Sequence, residues 1–347
     1  PGSVPLSFLP RPVILPFVNA KKRVSPPKTQ FKVDIVNYFT KLLRGDSSTR
    51  RGVAFMFVAV AASVAVMVCI RIISSDLHPF VMAFFRSLFG LVVFIPLLMK
   101  AGFTPLKTNR VGMHLTRGAL QAVLMLVTFM AISLAPLATV TALRFSGPLF
   151  ATLLALLLLH EIIRMRRISA LIIGFAGAMI ILRPGIIDIS LGGLFAMASA
   201  ATWALTMITV KSLSRTESSS AITIYSILVT TPITFIAALF YWRMPTPEEF
   251  FWLVLMGIFG SLSHWCRAQA FKSADISALI PIDFTALIWA TTFGYLLFGE
   301  IADVWTWAGG IVIFSSTLYI TYRERQVRAA TKNERENESE SNTPTLK

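Results

Sequence analysis

Residues 52–72 read GVAFMFVAVAASVAVMVCIRI, and this stretch decides the fold. Its only charge, Arg71, stands next to its far end. At ~1.5 Å rise per residue, about 20 helical residues match the ~30 Å hydrocarbon core of a bilayer. Lipid offers backbone N–H and C=O groups no partners, so such a run must satisfy them internally as a helix. The pattern recurs along the chain, with further spans predicted near 79–99, 113–133, 136–159, 168–183, 192–211, 221–242, 250–271, 276–298 and 304–322. The expected fold class is an all-α polytopic membrane protein with ten transmembrane helices. Composition agrees: the 347 residues are 55% hydrophobic and 14% charged, far less charge than a soluble domain carries. Only Leu134, Ala135 and their neighbours separate the third and fourth spans, which predicts a tight antiparallel pair.

The net charge of +15 suggests nucleic acid until its distribution is read. With the N-terminus inside, the inner loops hold Lys100, Lys107, Arg110, Arg164, Arg166, Arg167, Lys211, Arg215, Lys272 and the tail from Arg323. The outer loops hold only Arg71, Arg183 and Arg243, all at helix ends. That asymmetry orients a membrane protein with both termini in the cytoplasm. The expected partners are the lipid bilayer and a small-molecule substrate, with no nucleic acid; oligomeric state is not legible. Cys69 and Cys266 both fall within spans, at no metal-ligand spacing, and read as small apolar residues. No metal and no cofactor are expected.

Residues 1–51 form a basic N-terminal segment, rich in proline and lysine over 1–34 and expected to be mostly disordered. Val13–Val18 is short and broken by Pro16, which does not suit a signal peptide. Ile35, Tyr38, Phe39, Leu42 and Leu43 are spaced for a short interfacial helix, with a frayed linker as the alternative. The polar segment 323–347 is expected to be a disordered cytosolic tail.

An internal repeat is visible at an offset of 139 residues: Ala131 with Ala270, Ala135 with Ala274, Phe145 with Phe284, Ala151-Thr152 with Ala290-Thr291, Glu161-Ile162 with Glu300-Ile301. Two five-span units are expected, over 52–185 and 186–322. Five is odd, so the second unit enters the bilayer from the opposite side. Two similar halves in opposite orientation can exchange conformations and thereby alternate access between the two faces.

These residues resemble the EamA-type branch of the drug/metabolite transporter superfamily. The first half carries Ala142-Leu143-Arg144 through Pro148, His160-Glu161, Gly174, Gly177 and Leu182-Arg183-Pro184-Gly185. The second carries Ala268 to Phe271, Asp283-Phe284, Trp289, Ala290 to Gly294, Phe298-Gly299-Glu300, Trp307 and Gly309-Gly310. Leu287 stands where the family pattern usually has a proline. The resemblance implies two inverted five-helix repeats, no nucleotide-binding domain and a bacterial inner (plasma) membrane. The look is nearest to bacterial members that move S-adenosylmethionine or riboflavin. It implies secondary transport of a small organic metabolite, favouring an S-adenosylmethionine-like or other zwitterionic, aromatic substrate; riboflavin, an amino acid or a drug is the alternative.

A charge at mid-bilayer costs about 2.5–3.5 kcal/mol on insertion scales, so intramembrane charges mark function or a pair. Arg144 and Asp283 occupy equivalent positions in spans four and nine. They are expected to face each other as a gate or a zwitterion site, or else as a static ion pair. Asp283 is the only acid well inside a span, which makes it the candidate for coupling to a proton or other gradient ion. His264 and Arg267, at i and i+3, share a helix face. Arg267 suits a substrate carboxylate or phosphate, or snorkels. Arg86 lies deeper in span two, whereas Arg117 is expected to snorkel from span three. Trp203, Tyr225 and Trp289 are candidates to stack on a planar ligand, with packing as the bland reading. Glu161 and Glu300 close spans four and nine, as structural residues or gates. Pro148 and Pro281 each remove a backbone donor, giving a kink or a carbonyl for substrate. Trp252, Trp305 and Trp307 read as an interfacial belt.

Ser261, Ser263 and His264 are too close along one helix to assemble a nucleophile, a base and an oxyanion hole. No enzymatic activity is expected. A non-transporting scaffold or receptor remains as the alternative of another class.

Overall fold

The computed structural model describes residues 47–101, 108, 110–159, 165–185, 188, 190–214, 216–274 and 276–321. Residues 1–46, where the interfacial helix is expected, Glu161 and the tail from Tyr322 lie outside the described residues. The described chain is helical throughout: α1 Ser47–Ile73, α2 Pro79–Ala101, α3 Val111–Leu134, α4 Leu137–Arg144, α5 Gly147–Leu159, α6 Met165–Leu182. There follow α7 Leu191–Leu213, α8 Ser219–Leu239, α9 Pro247–Ser273, α10 Ile276–Asp283, α11 Thr285–Phe298 and α12 Val304–Thr321. Eight stretches are long and apolar enough to cross a bilayer. Two shorter apolar helices, Pro79–Val92 and Arg167–Leu182, stand where the second and fifth spans were expected.

Caps set several starts. Ser190 and Ser218 accept backbone N–H groups at the heads of α7 and α8, and Thr246 with Glu249 closes a reciprocal capping box on α9. Gly299, at φ 66°, ends α11 in the left-handed conformation that glycine adopts without a Cβ penalty.

Two spans expected as continuous are broken. The fourth is α4 and α5, interrupted at Phe145-Ser146; the ninth is α10 and α11, interrupted at Phe284. In the first case Pro148 has no N–H for the carbonyl of Arg144, and Phe145 and Ser146 tighten onto Ala142 and Leu143 instead. In the second Leu287 stands at the proline's equivalent position, yet the break is retained. The expected pairing of spans three and four also fails. Ala135 and Pro136 are extended, and α4 packs on α7 and α11 rather than along α3.

The helix boundaries repeat at the offset seen in the sequence. Leu137–Arg144 shifted by 139 residues becomes Ile276–Asp283, and Met165–Leu182 becomes Val304–Thr321. Packing repeats as well: α1 lies along α9 as α3 lies along α7, α4 meets α7 as α10 meets α1, and α2 meets α8. Small residues permit this closeness. Ala59, Ala196, Ala200 and Ala204 are buried, and a Cβ on Gly177 of α6 would stand 2.9 Å from the carbonyl oxygen of Gly309 on α12. In lipid, such contacts and cross-helix hydrogen bonds, like that from Ser263 Oγ to the Ala59 carbonyl at 2.8 Å, carry the association.

Candidate functional site

The two helix breaks meet. The Phe145 and Phe284 rings, 139 residues apart, lie with centroids 4.0 Å apart, and Phe314 of α12 flanks Phe284 at 4.2 Å. Each phenylalanine directly follows a charged residue that ends a half-helix, Arg144 on α4 and Asp283 on α10. The breaks therefore bring one charge from each half to a common centre, at positions the repeat makes equivalent.

Around this centre the structure gathers most of the expected charges. Arg267 of α9 holds Asp283 at 2.9 Å, so Asp283 is not a lone carboxylate and its direct partner is Arg267 rather than Arg144. Arg144 is within electrostatic reach of both, and of Arg86. Arg86 lies flat over Gly260, where a Cβ would stand 3.1 Å from its Nη2. That absence of a side chain lets α2 present a guanidinium to α9. Arg86 donates to Met125 Sδ at 3.7 Å and meets His264 Nε2 at 3.4 Å; a guanidinium only donates, so Nε2 accepts. His264 and Arg267 share one face as their spacing requires, and Arg117 is within electrostatic reach of His264. Arg117, expected to snorkel, is half-buried and donates to Gln121 at 3.0 Å. Arg144 and His264 keep exposed surface at this centre.

The aromatic candidates separate. The Trp203 indole covers Gly147 at the head of α5, next to the first break. Tyr225 stacks on buried His114 at 4.4 Å, near the end of the bundle where α1 begins; His114 in turn faces Glu217 at 3.8 Å. Trp289 packs edge-on to Phe57 of α1 and stacks on Phe293, which is helix packing.

Glu300 does more than close a helix. It accepts the Leu137 N–H at the head of α4 and pairs with Arg71, which also donates to the Ser133 carbonyl at 2.7 Å. At the same end Arg183 pairs with Asp303, and Arg243 with Glu249 and the Asp76 carbonyl. All three arginines of this end are thus neutralised, and each bridges the two halves or packs beside a bridge. A cavity of about 430 Å³ lies there too, lined by Ile72, Asp76, Arg243, Glu249 and Trp252, away from the central arginines. Sequence reading missed these cross-half bridges, because partners such as Arg71 and Glu300 are distant along the chain.

Ser263 is spent on Ala59 and His264 on Arg86, so no nucleophile faces a base here. Among the described residues no cluster of His, Cys, Asp and Glu suits a metal.

Comparison with known proteins matches this architecture in both halves. Residues 50–183 and 190–322 each fit the EamA-like transporter family. An S-adenosylmethionine uptake transporter of Rickettsia bellii is 32% identical over 275 residues, covering 79% of this chain and 94% of that protein. A riboflavin transporter of Vibrio cholerae is 34% identical over 239 residues, covering 68% of this chain and 80% of its own. One crystal structure of 16% identity superposes with a TM-score of 0.53 over 80% of this chain and 98% of that one, a likeness of fold alone. Broken helices, a charged centre and duplicated halves are the parts of a carrier, and the chain belongs to the EamA-like transporter family, integral membrane transporters and not enzymes.

Proposed function

We propose that the chain is a secondary transporter that moves a small organic metabolite by alternating access between two inverted five-helix repeats. The repeats cover 52–185 and 186–322, ten spans in all, with the basic segment 1–51 and the polar tail 323–347 on the cytoplasmic side of a bacterial inner membrane. The observation that carries this reading is the meeting of Phe145 and Phe284 at two helix breaks, each next to a charged residue of its own half. Broken helices at the interface of two repeats are where carriers bind substrate, because backbone groups and charges there are freed from the helix. Arg86, Arg144, His264, Arg267 and Asp283 form the binding centre, with Trp203 at its edge. Glu300 and Arg71 hold one end closed, and Asp283 is the residue for coupling to a proton or other gradient ion.

For substrate, the names of the relatives favour an S-adenosylmethionine-like zwitterion with an aromatic ring, its carboxylate on the guanidiniums; riboflavin, an amino acid or a drug of similar size is the alternative. A scaffold or receptor that carries nothing has no need of charges at two pseudo-equivalent helix breaks. Counterflow in proteoliposomes tests the reading: saturable exchange of labelled S-adenosylmethionine or another small metabolite is expected, abolished by Asp283→Asn. Absence of saturable flux across a broad metabolite panel would sink it. Flux unchanged after collapse of the proton gradient would remove the proton role of Asp283 while leaving transport intact.

A further inference from the structure

The charged centre at the two helix breaks holds more cations than carboxylates among the described residues. Arg267 pairs with Asp283 at 2.9 Å, Arg86 meets His264 at 3.4 Å, and Arg144 ends its half-helix next to Phe145, whose ring lies 4.0 Å from that of Phe284, the neighbour of Asp283. Asp283 is the only carboxylate among them, and Arg267 occupies it. The other acids with described partners are spent at the helix ends: Glu300 on Arg71, Asp303 on Arg183, Glu249 on Arg243, Glu217 on His114 and Thr108. Two further atoms point the same way. Arg86 Nε and Arg117 Nε are buried and have no acceptor among the described residues. Arg144 makes no hydrogen bond within the described residues and keeps exposed surface at the first helix break. Like charges held together in a medium of low dielectric repel strongly unless an anion lies between them. A guanidinium is always charged and presents a planar fork that matches an oxyanion with two N–H bonds.

We propose that this centre selects a substrate of net negative charge, gripped through a carboxylate or phosphate oxyanion by Arg86 and Arg144, with Arg267 adding to the attraction. The inference rests on the transporter reading and, within it, sets an anionic metabolite ahead of the zwitterion that the relatives' names favour. A centre with a surplus of cations disfavours a net-positive ligand even where that ligand carries one carboxylate. S-adenosylmethionine, with a sulfonium and an ammonium against one carboxylate, therefore fits less well than an anionic metabolite of similar size. The Arg267–Asp283 pair remains available for an ammonium or hydroxyl on the same molecule.

The test uses the full chain in detergent at matched ionic strength, with chloride as reference and pyrophosphate, citrate and S-adenosylmethionine as probes. At saturating pyrophosphate or citrate the melting temperature is expected to rise by roughly 4 °C or more above chloride. The rise is expected to fall by at least half in Arg144→Gln, which leaves the Arg267–Asp283 pair intact, and again in Arg86→Gln. Melting of each variant in chloride reports that it is folded. No rise over chloride overturns the proposal, and so does a rise that survives in both variants, since the anion then sits on the basic surface. A larger rise with S-adenosylmethionine than with either anion also overturns it. Proteoliposome counterflow separates the two readings. Anion binding without saturable flux of any metabolite keeps the anion-site assignment and removes the carrier; saturable flux that prefers cations removes the anionic assignment and keeps the carrier.

Discussion

The backbone N–H of Leu137 donates to Glu300 Oε2 at 2.9 Å, while Oε1 of the same carboxylate meets Arg71 at 2.9 Å. One side chain thus caps the half-helix α4, anchors α1 and belongs to the other half of the protein. Leu137 is the first residue of α4, where an N–H has no intrahelical acceptor, and a carboxylate at a helix N-terminus also meets the positive end of the helix dipole. Replacing Glu300 with Gln keeps the shape and removes the charge. It is expected to cost about 1–2 kcal/mol for a partly buried pair and to loosen the end of the bundle at which α1 finishes. Cys69 lies two residues before Arg71 and is 2% exposed. Its alkylation, measured with Cys266 replaced by Ser, is expected to quicken several-fold in Glu300→Gln. Unchanged labelling would mean that this bridge holds nothing closed.

The Arg267–Asp283 pair invites a double-mutant cycle. Its side chains are 29% and 40% exposed, so solvent screens part of the attraction. Arg267→Gln and Asp283→Asn are each expected to destabilise by about 1–2 kcal/mol, with the double variant losing less than their sum. Additive losses in unfolding experiments would show that the two groups do not interact in the membrane-embedded protein.

Gly177 and Gly309 let α6 and α12 touch backbone to backbone. A methyl at Gly177 meets the Gly309 carbonyl and the Ile313 and Val312 side chains at 2.9–3.0 Å. Gly177→Ala is expected to cost about 1–3 kcal/mol because the rigid backbone cannot yield. Gly90→Ala is the control, since nothing lies within 4 Å of its added methyl, and the change should be neutral or stabilising in a helix. Equal melting temperatures for the two variants would refute the close approach of α6 and α12.

His78, in the loop between α1 and α2, stacks on Tyr241 with centroids 3.7 Å apart and accepts the Phe80 N–H on Nδ1 at 3.3 Å. Burial pushes its pKa below the usual imidazole range. The unfolded chain therefore takes up the proton first as pH falls. His78 contributes no pH dependence well above its unfolded pKa of about 6.5, and stability is lost as pH drops below that value. Melting between pH 8 and pH 5 should show a steeper acid loss in the wild type than in His78→Asn. Parallel curves would mean that His78 titrates normally.

Transmembrane segments, their order and the duplicated halves were legible in the sequence because they follow from local quantities. Hydropathy over about 20 residues specifies a span, and matching residues at a fixed offset specify a repeat; neither needs a distant contact. Stretches such as residues 52–72 and the pairs Phe145/Phe284 and Glu161/Glu300 carried that information. The tertiary structure decided what each charge does. Asp283 went to Arg267 rather than to Arg144, and Glu300 crossed to Arg71 and Leu137. Tyr225 and Trp289 were claimed by His114 and Phe57. A side chain's spacing fixes its helix face, but its partner depends on which helix that face meets and on where a neighbour such as Gly260 leaves room. Those distances are set only when all the helices pack together.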